Sequence, residues 1–140
     1  MLRLTGMLFF MLAVLPLVGC SDSHDKVMGD AVSTMEDISG ILDGVTDKGS
    51  AEAAEGRLES KIEELNSIYE RAAALEEPSE ETLAELDQKY EERLADLRGD
   101  LLRNMFRILG LGEDVGTPIS RAMRGFDDDL ADTVQWLDVK

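Results

Sequence analysis

One stretch of the chain, residues 83–108, repeats its apolar residues at intervals of three and four positions. The intervals run 3, 4, 4, 3, 4, 4, 3, an eleven-residue repeat of about 3.67 residues per turn. The members of this stripe are Leu83, Leu86, Tyr90, Leu94, Leu97, Leu101, Met105 and Ile108. An α-helix places such positions on one face, whereas a β-strand alternates at every second residue. The stretch therefore predicts one amphipathic helix of about 30 residues, roughly 45 Å long.

Three further stripes of the same kind predict three more helices. They are Met28, Ala31, Met35, Ile38, Leu42, Val45; then Leu58, Ile62, Leu65, Tyr69, Ala72; and finally Ile119, Met123, Phe126, Leu130, Val134, Leu137. Ser50 and Thr117-Pro118 are typical helix starts. Short connections favour antiparallel neighbours. The expected fold is all-α, an antiparallel helical bundle of four helices, with a three-helix bundle and a loosely packed first helix as the alternative.

The first twenty residues have the layout of a secretory signal peptide. Arg3 supplies a positive charge, and residues 4–15 form an uncharged apolar run that ends at Pro16. Small residues follow before Cys20, as a signal-peptide cleavage site requires. The run is shorter than the roughly 20 apolar residues of a membrane-spanning helix, so cleavage is favoured over an uncleaved span.

The end of this segment, Leu17-Val18-Gly19-Cys20, resembles the lipobox of bacterial lipoproteins. The resemblance implies that the Cys20 thiol accepts a diacylglyceryl group, that cleavage falls between Gly19 and Cys20, and that the new N-terminus is then acylated. Two or three acyl chains anchor a protein stably in a membrane. In bacteria that sort lipoproteins by the following residue, Ser21 favours the outer membrane. A secreted chain with an unmodified Cys20 is the alternative.

Acidic side chains dominate the rest of the chain. Thirty Asp and Glu stand against 14 Lys and Arg, a net charge of −16. Cleavage removes Arg3 and no acid, which leaves −17. Such a balance excludes a nucleic-acid-binding protein, which needs a basic surface. The expected organisation is a lipoprotein signal peptide (1–19), a lipidated cysteine with a polar tether (20–25) and an acidic helical bundle domain (26–140).

No set of residues predicts catalysis or a metal site. The chain contains one histidine, His24, and one cysteine, so the usual His and Cys ligands are scarce. Two rows of carboxylates four residues apart are most simply solvated helix faces; the rows are Glu55, Glu59, Glu63 and Glu92, Asp96, Asp100. There is no Ser–His–acid set and no phosphate-binding glycine loop. We expect neither enzymatic activity nor a metal.

The layout of four helices is similar to that of cytochrome b562-type bundles, in which a methionine of the first helix and a histidine of the fourth bind haem. Met28 or Met35 matches the methionine, but the fourth helix contains no histidine. Methionine on an apolar stripe is also ordinary core filler. We therefore expect no cofactor, and a small-ligand or cofactor carrier in the bundle core is the alternative function.

Arginine is concentrated between residues 98 and 124, where the local net charge is +2. Leu111 and Val115 are expected at an exposed, Gly-rich tip between the third and fourth helices. The arginines beside them either neutralise acids on neighbouring helices or surround a protein-docking site. The candidate partner-binding residues are Arg107, Leu111, Val115, Arg121 and Arg124.

These features predict a lipid-anchored protein of the bacterial cell envelope, with the outer membrane facing the periplasm favoured. The expected role is a non-catalytic structural or protein-interaction module, whose partners are the membrane, through the lipid, and an unidentified protein. Lys140 at the C-terminus is similar to the lysine of Braun-type lipoproteins that is joined to peptidoglycan. A peptidoglycan-linked spacer is therefore a further alternative, although those proteins are shorter, single-helix coiled coils.

Overall fold

The computed structural model describes residues 22–127, 132 and 134–137, and the regular structure in this part of the chain is helical. The elements are α1 (His24–Asp43), α2 (Lys48–Ala73), α3 (Glu80–Gly110), α4 (Glu113–Met123) and a short 3-10 helix (Gln135–Leu137). The prediction of an all-α bundle of four helices is confirmed. With 31 residues, α3 is about 46 Å long.

Three helices begin at residues whose side chains accept hydrogen bonds from backbone N–H groups of the first turn. Ser23 does so for α1 and Ser79 for α3. At the start of α2, the side chains of Asp47 and Ser50 each accept from the other's backbone N–H. A helix start of this kind contributes about 1 kcal/mol. The expectation that Ser50 itself caps α2 is therefore wrong by three residues, because Asp47 is the cap and Ser50 supports it.

The apolar stripes predicted from spacing meet in one core. Every member of the first three stripes is buried or half-buried. Met28 and Leu42 of α1, Leu58 and Ile62 of α2, and Ile108 of α3 are among the largest fully buried side chains. Because α1 contributes to this core as fully as its neighbours, the alternative with a loosely packed first helix is not the observed arrangement.

Ion pairs and hydrogen bonds show how the helices are arranged. Arg71, near the end of α2, reaches Asp30 in the first half of α1, so α1 and α2 are antiparallel. Lys89 of α3 pairs with Asp25 at the start of α1. Arg107, near the end of α3, binds carbonyls at the end of α1, so α1 and α3 run in the same direction. Helix α1 thus lies between α2 and α3, and α4 packs on α2.

The start of α4 differs from the prediction. The helix begins at Glu113 instead of Thr117, and Pro118 lies inside it. Its N-cap is Gly112, with φ 108° and ψ 169°, a conformation that is essentially restricted to glycine. Because the N-cap lies five residues earlier than Thr117, Val115 falls in the first turn of the helix and is buried. The expectation that Val115 is exposed is therefore wrong.

The end of α4 also differs, because the helix stops at Met123 and not near Leu137. The Asn66 side chain of α2 donates to the Gly125 carbonyl (2.8 Å) and accepts from the Asp127 N–H (3.1 Å). These two bonds hold a turn where the spacing predicted a continuing helix. The apolar residues Phe126, Val134 and Leu137 still reach the core, and Leu130 lies outside the described residues.

The folded body begins earlier than the expected boundary at residue 26. Helix α1 starts at His24, and Asp22 before it is bound by Arg71 of α2. Residues 22–25, which were assigned to the tether, therefore belong to the bundle. No helix of the described part is both long and apolar enough to cross a membrane.

Candidate interaction surface

Four large apolar side chains are exposed at the end of α3 and in the residue that follows it. The exposed fractions are 60% for Leu102, 72% for Phe106, 62% for Leu109 and 42% for Leu111. Burying a side chain of this size is worth roughly 1.5–3 kcal/mol, so leaving several of them in water is costly. A contiguous exposed apolar surface on a soluble domain marks an interaction site.

Three of these residues belong to a second stripe on α3, which we call the outer stripe: Ala95, Gly99, Leu102, Phe106 and Leu109. Its intervals of 4, 3, 4 and 3 are the heptad spacing of helices that pair with another helix. Ala95 and Gly99 are exposed as well. A Cβ atom placed on Gly99 would meet no other atom within 4 Å, so the surface is open there.

The outer stripe points away from the bundle because the opposite face of α3 is occupied. Asn104 and Ile108 are buried on that face. The Asn104 amide donates to the Ser39 carbonyl of α1 at 3.4 Å. Position 104 lies roughly half a helical turn from positions 102 and 106. The spacing of the predicted stripe from Leu83 to Ile108 does not by itself reveal this second face. Its signal in the sequence is the separate 4, 3 spacing of Leu102, Phe106 and Leu109.

Charged side chains flank the outer stripe. Arg103 is 74% exposed and pairs with Asp100 of the same helix at 2.8 Å. Arg98 and Asp96 are exposed beside the small residues of the stripe. An apolar strip with flanking charges of both signs is typical of helix–helix interfaces, in which the charges select the partner and its direction.

Arg107 does not lie on this surface. Its guanidinium donates to the carbonyls of Leu42 (2.8 Å), Asp43 (3.3 Å) and Val45 at the end of α1, and to the Asn104 side chain (3.1 Å). Helix α1 has no basic residue in its own last turn. The carbonyls at a helix end carry partial negative charge. Arg107 therefore caps α1 from a neighbouring helix, and its expected place in an exposed arginine ring is wrong.

The other candidate partner-binding residues divide between interior and surface. Arg121 pairs with Glu55 of α2 at 2.7 Å and so neutralises a neighbouring acid. Val115 is buried. Leu111 is exposed, and Arg124 lines an open groove of about 310 Å³ with Leu109 at the junction of α3 and α4. Leu111 and Arg124 are thus on the surface, and Arg121 is exposed as well but already paired with Glu55.

The opposite end of the bundle is held by a network of ion pairs. Arg71 binds Asp22 at 2.6 Å and Asp30 at 2.8 Å. Hydrogen bonds from Arg71 lower the pKa of Asp22 from 3.8 to about 2, and they also lower the pKa of Asp30. A hydrogen bond from Lys89 lowers the pKa of Asp25 in the same way. The first turn of α1 is therefore fixed to both α2 and α3 by charge.

His24 belongs to this end as well and contacts two other segments. Its Nε2 lies 2.8 Å from the Glu76 carbonyl, in the connection between α2 and α3. Its ring packs edge-on against Trp136 at 5.0 Å between centroids. The one histidine of the chain thus has a structural contact on each side.

The grooves on the described part of the bundle are open to solvent, and several have charged side chains in their lining. One of about 480 Å³ runs between α1 and α3, and its charged lining includes Glu36, Arg93, Asp96, Asp100 and Arg103. Arg93 forms a two-pronged pair with Glu36 across this groove, at 2.8 and 2.9 Å. Among the described residues, no group of three His, Cys, Asp or Glu side chains is placed to hold a metal ion.

Several residues of the sequence-based interpretation lie outside the described part of the chain. They are the signal segment with Gly19 and Cys20, and Lys140. Comparisons of the chain with protein-family models, with curated proteins and with solved structures find no match.

Proposed function

We propose that this protein is a lipid-anchored lipoprotein of the bacterial cell envelope and acts there as a non-catalytic interaction module. The observation that carries the proposal is the segment Leu17-Val18-Gly19-Cys20 at the end of an apolar run. Cys20 is the one cysteine of the chain, and it stands at the position where lipidation would use it. Ser21 after it favours the outer membrane, with the bundle in the periplasm.

The positions of the chain start and of the exposed apolar residues, at opposite ends of α1, support this proposal. Asp22, two residues after Cys20, is held at the start of α1, and the connection between α2 and α3 lies at the same end. The exposed apolar residues begin near the other end of α1, where Arg107 binds Leu42. Since α1 has 20 residues, about 30 Å separates its two ends. An anchor at Cys20 would leave the apolar surface accessible.

The interaction role is supported by the exposed apolar residues and not by a ring of arginines. The surface that we propose for a partner consists of the outer stripe together with Leu111 and Arg124. Arg107 and Val115 are no longer part of it, because each is engaged inside the bundle, and Arg121 is left out because its exposed side chain pairs with Glu55 of α2. Grooves that are open to solvent and lined by charged side chains do not favour the alternative of a small-ligand or cofactor carrier in the bundle core.

Mass spectrometry of the N-terminus tests the anchor. The full chain, expressed in a bacterium, is expected to sediment with membranes and to begin at Cys20 with added acyl mass. Cys20→Ser should leave the signal uncleaved and the acyl mass absent, because the thiol is the acceptor. Ser21→Ala is the matched control and should be processed like the wild type. A mature protein that begins at Cys20 without a lipid would refute the anchor.

A further inference from the structure

We propose that the outer stripe is a dimerisation surface, and that its partner is α3 of a second copy of this chain in the antiparallel direction. The inference rests on the interaction role proposed above and names the partner of that surface. It starts from one juxtaposition on α3: two small residues and three large apolar residues follow each other at heptad spacing on an exposed face, with charges of both signs beside them.

The order of small and large side chains along the outer stripe favours pairing with the same stripe of a second copy in the antiparallel direction. Ala95 and Gly99 form its first half, and the large side chains form the second. Two such helices that cross near residues 100–101 bring Gly99 opposite Leu102 of the second copy and Ala95 opposite Phe106 of the second copy. Leu102 and Phe106 thus each meet a small residue, which lets the helices pack closely there, whereas Leu109 lies opposite Glu92 of the second copy at the end of the contact. The open space at Gly99 is where such a side chain would fit.

The charged side chains beside the outer stripe also favour the antiparallel direction. In the antiparallel register, Asp96 lies beside Arg103 of the second copy, and the two-fold symmetry repeats this attractive pair. In a parallel register, Arg98 lies beside Arg103 of the second copy, and Asp96 lies beside Glu91. Both of these contacts join like charges. Arg103 is 74% exposed and pairs with Asp100 of its own helix, so the attractive pair with Asp96 of the second copy forms beside that pair or replaces it.

The net charge and the small contact both make this dimer weak. Each copy without its signal segment carries −17, so the two bodies repel each other at long range. A stable interface buries roughly 1,200–2,000 Å² in total, and a contact of about four helical turns lies below that range. We therefore expect self-association that depends on protein concentration and strengthens with moderate salt, as screening reduces the long-range repulsion.

The antiparallel arrangement has a consequence for the anchor. Because α1 and α3 run in the same direction within one copy, the first helices of the two copies point in opposite directions. The two N-terminal ends therefore lie at opposite ends of the pair. Both reach one membrane when the pair lies along its surface.

Analytical ultracentrifugation over a micromolar-to-millimolar concentration series tests the proposal. The chain from Ser21 onward contains every core residue, from Val27 to Leu137, and carries no lipid. It is expected to form dimers. Phe106→Glu should remain monomeric with unchanged helix content by circular dichroism, because Phe106 is 72% exposed in the single copy. Ala53→Glu adds the same charge at an exposed position of α2 and is expected to dimerise like the wild type.

A charge swap tests the direction of the two helices. Asp96→Arg and Arg103→Asp should each weaken the dimer about tenfold, since each turns two attractive exposed pairs into repulsive ones. The double variant D96R/R103D should restore the wild-type constant. Failure of this rescue would overturn the antiparallel pairing.

Two further results would overturn the dimer itself. One is a wild-type chain that stays monomeric throughout the concentration series. This holds also if the monomer binds phosphatidylglycerol vesicles through Phe106. The other is a Phe106→Glu variant that dimerises like the wild type. Because this chain carries no lipid, failure of the Cys20 anchor does not affect the measurement. Conversely, loss of the dimer leaves the mass at Cys20 unchanged, so the two proposals fail separately.

Discussion

At the scale of single residues, arginine side chains connect separate helices. Arg71 connects Asp22 before α1 to Asp30 within it, and Arg107 binds the carbonyls at the end of α1. Both side chains are part-buried. Planar guanidinium groups suit such contacts because several N–H donors are held in fixed directions. The two ends of α1 are thus each held by an arginine from a different helix.

The first prediction concerns the pKa of Asp22. In the folded protein Arg71 lowers it from 3.8 to about 2, so the pair stabilises the fold above pH 3.8 and this contribution is lost as the pH falls toward 2. In Arg71→Gln the pKa of Asp22 should return toward 3.8. Titration of the carboxyl ¹³C signal by NMR measures it. Arg93→Gln, which removes a pair with Glu36 elsewhere, is the control and should leave Asp22 unchanged. A pKa that stays near 2 in R71Q would show that another group holds it down.

The sequence shows which residues carry these charges but not where they bind. Arginines near the end of the third helix are expected from the helix dipole, and Arg107 is one of them. The carbonyls that it binds at the end of α1, however, lie more than 60 positions earlier in the chain. Such a contact depends on how α1 packs beside α3, which the spacing of apolar residues does not specify. The same applies to Arg121, whose local surroundings suggest an exposed tip while its partner is Glu55 of α2.

At the scale of helices, apolar spacing predicts the interior well and the boundaries poorly. The apolar stripes predicted for α1, α2 and α3 are buried or half-buried as expected, because apolar residues spaced three and four positions apart lie on one face of a helix. The predicted start of α4 differs from the observed one because Thr117-Pro118 is a good local start signal. Gly112, in contrast, acts as the N-cap through its backbone conformation alone. The end of α4 depends on Asn66, which lies on another helix.

The second prediction tests that boundary between α3 and α4. Gly112→Ala should lower the free energy of unfolding by about 1–3 kcal/mol, since alanine resists φ 108° and ψ 169°. Gly110→Ala, two residues earlier, ends α3 with a helical backbone and meets no atom within 4 Å of the added Cβ. It should therefore be neutral or stabilise by up to about 1 kcal/mol. Urea unfolding of the two variants gives the comparison, and equal effects would show that the Gly112 conformation is not required.

At the scale of the whole molecule, the excess of carboxylates opposes both folding and self-association. Residues 20–140 carry a net charge of −17, and the cross-helix ion pairs offset this repulsion only locally. The position of a carboxylate on its helix decides whether it stabilises or destabilises the fold. Glu80 and Glu81 occupy the first turn of α3, where the helix dipole favours negative charge. Glu59 and Glu63 follow Glu55 at four-residue intervals on α2, where like charges repel.

The last prediction separates these two roles with a matched pair of variants. E59Q/E63Q and E80Q/E81Q make the same change in net charge, from −17 to −15, at exposed positions. In low salt, E59Q/E63Q should raise the free energy of unfolding by about 0.5–1 kcal/mol, because each glutamate repels a neighbour one turn away. E80Q/E81Q should lower it by a similar amount, since each loses about 0.3–1 kcal/mol of interaction with the helix N-terminus. Urea is the suitable denaturant because it is uncharged. Both differences should shrink between 0.01 and 0.1 M salt, as the Debye length falls from about 30 to about 10 Å. Equal stabilisation by both variants would mean that net charge alone governs the stability of this bundle.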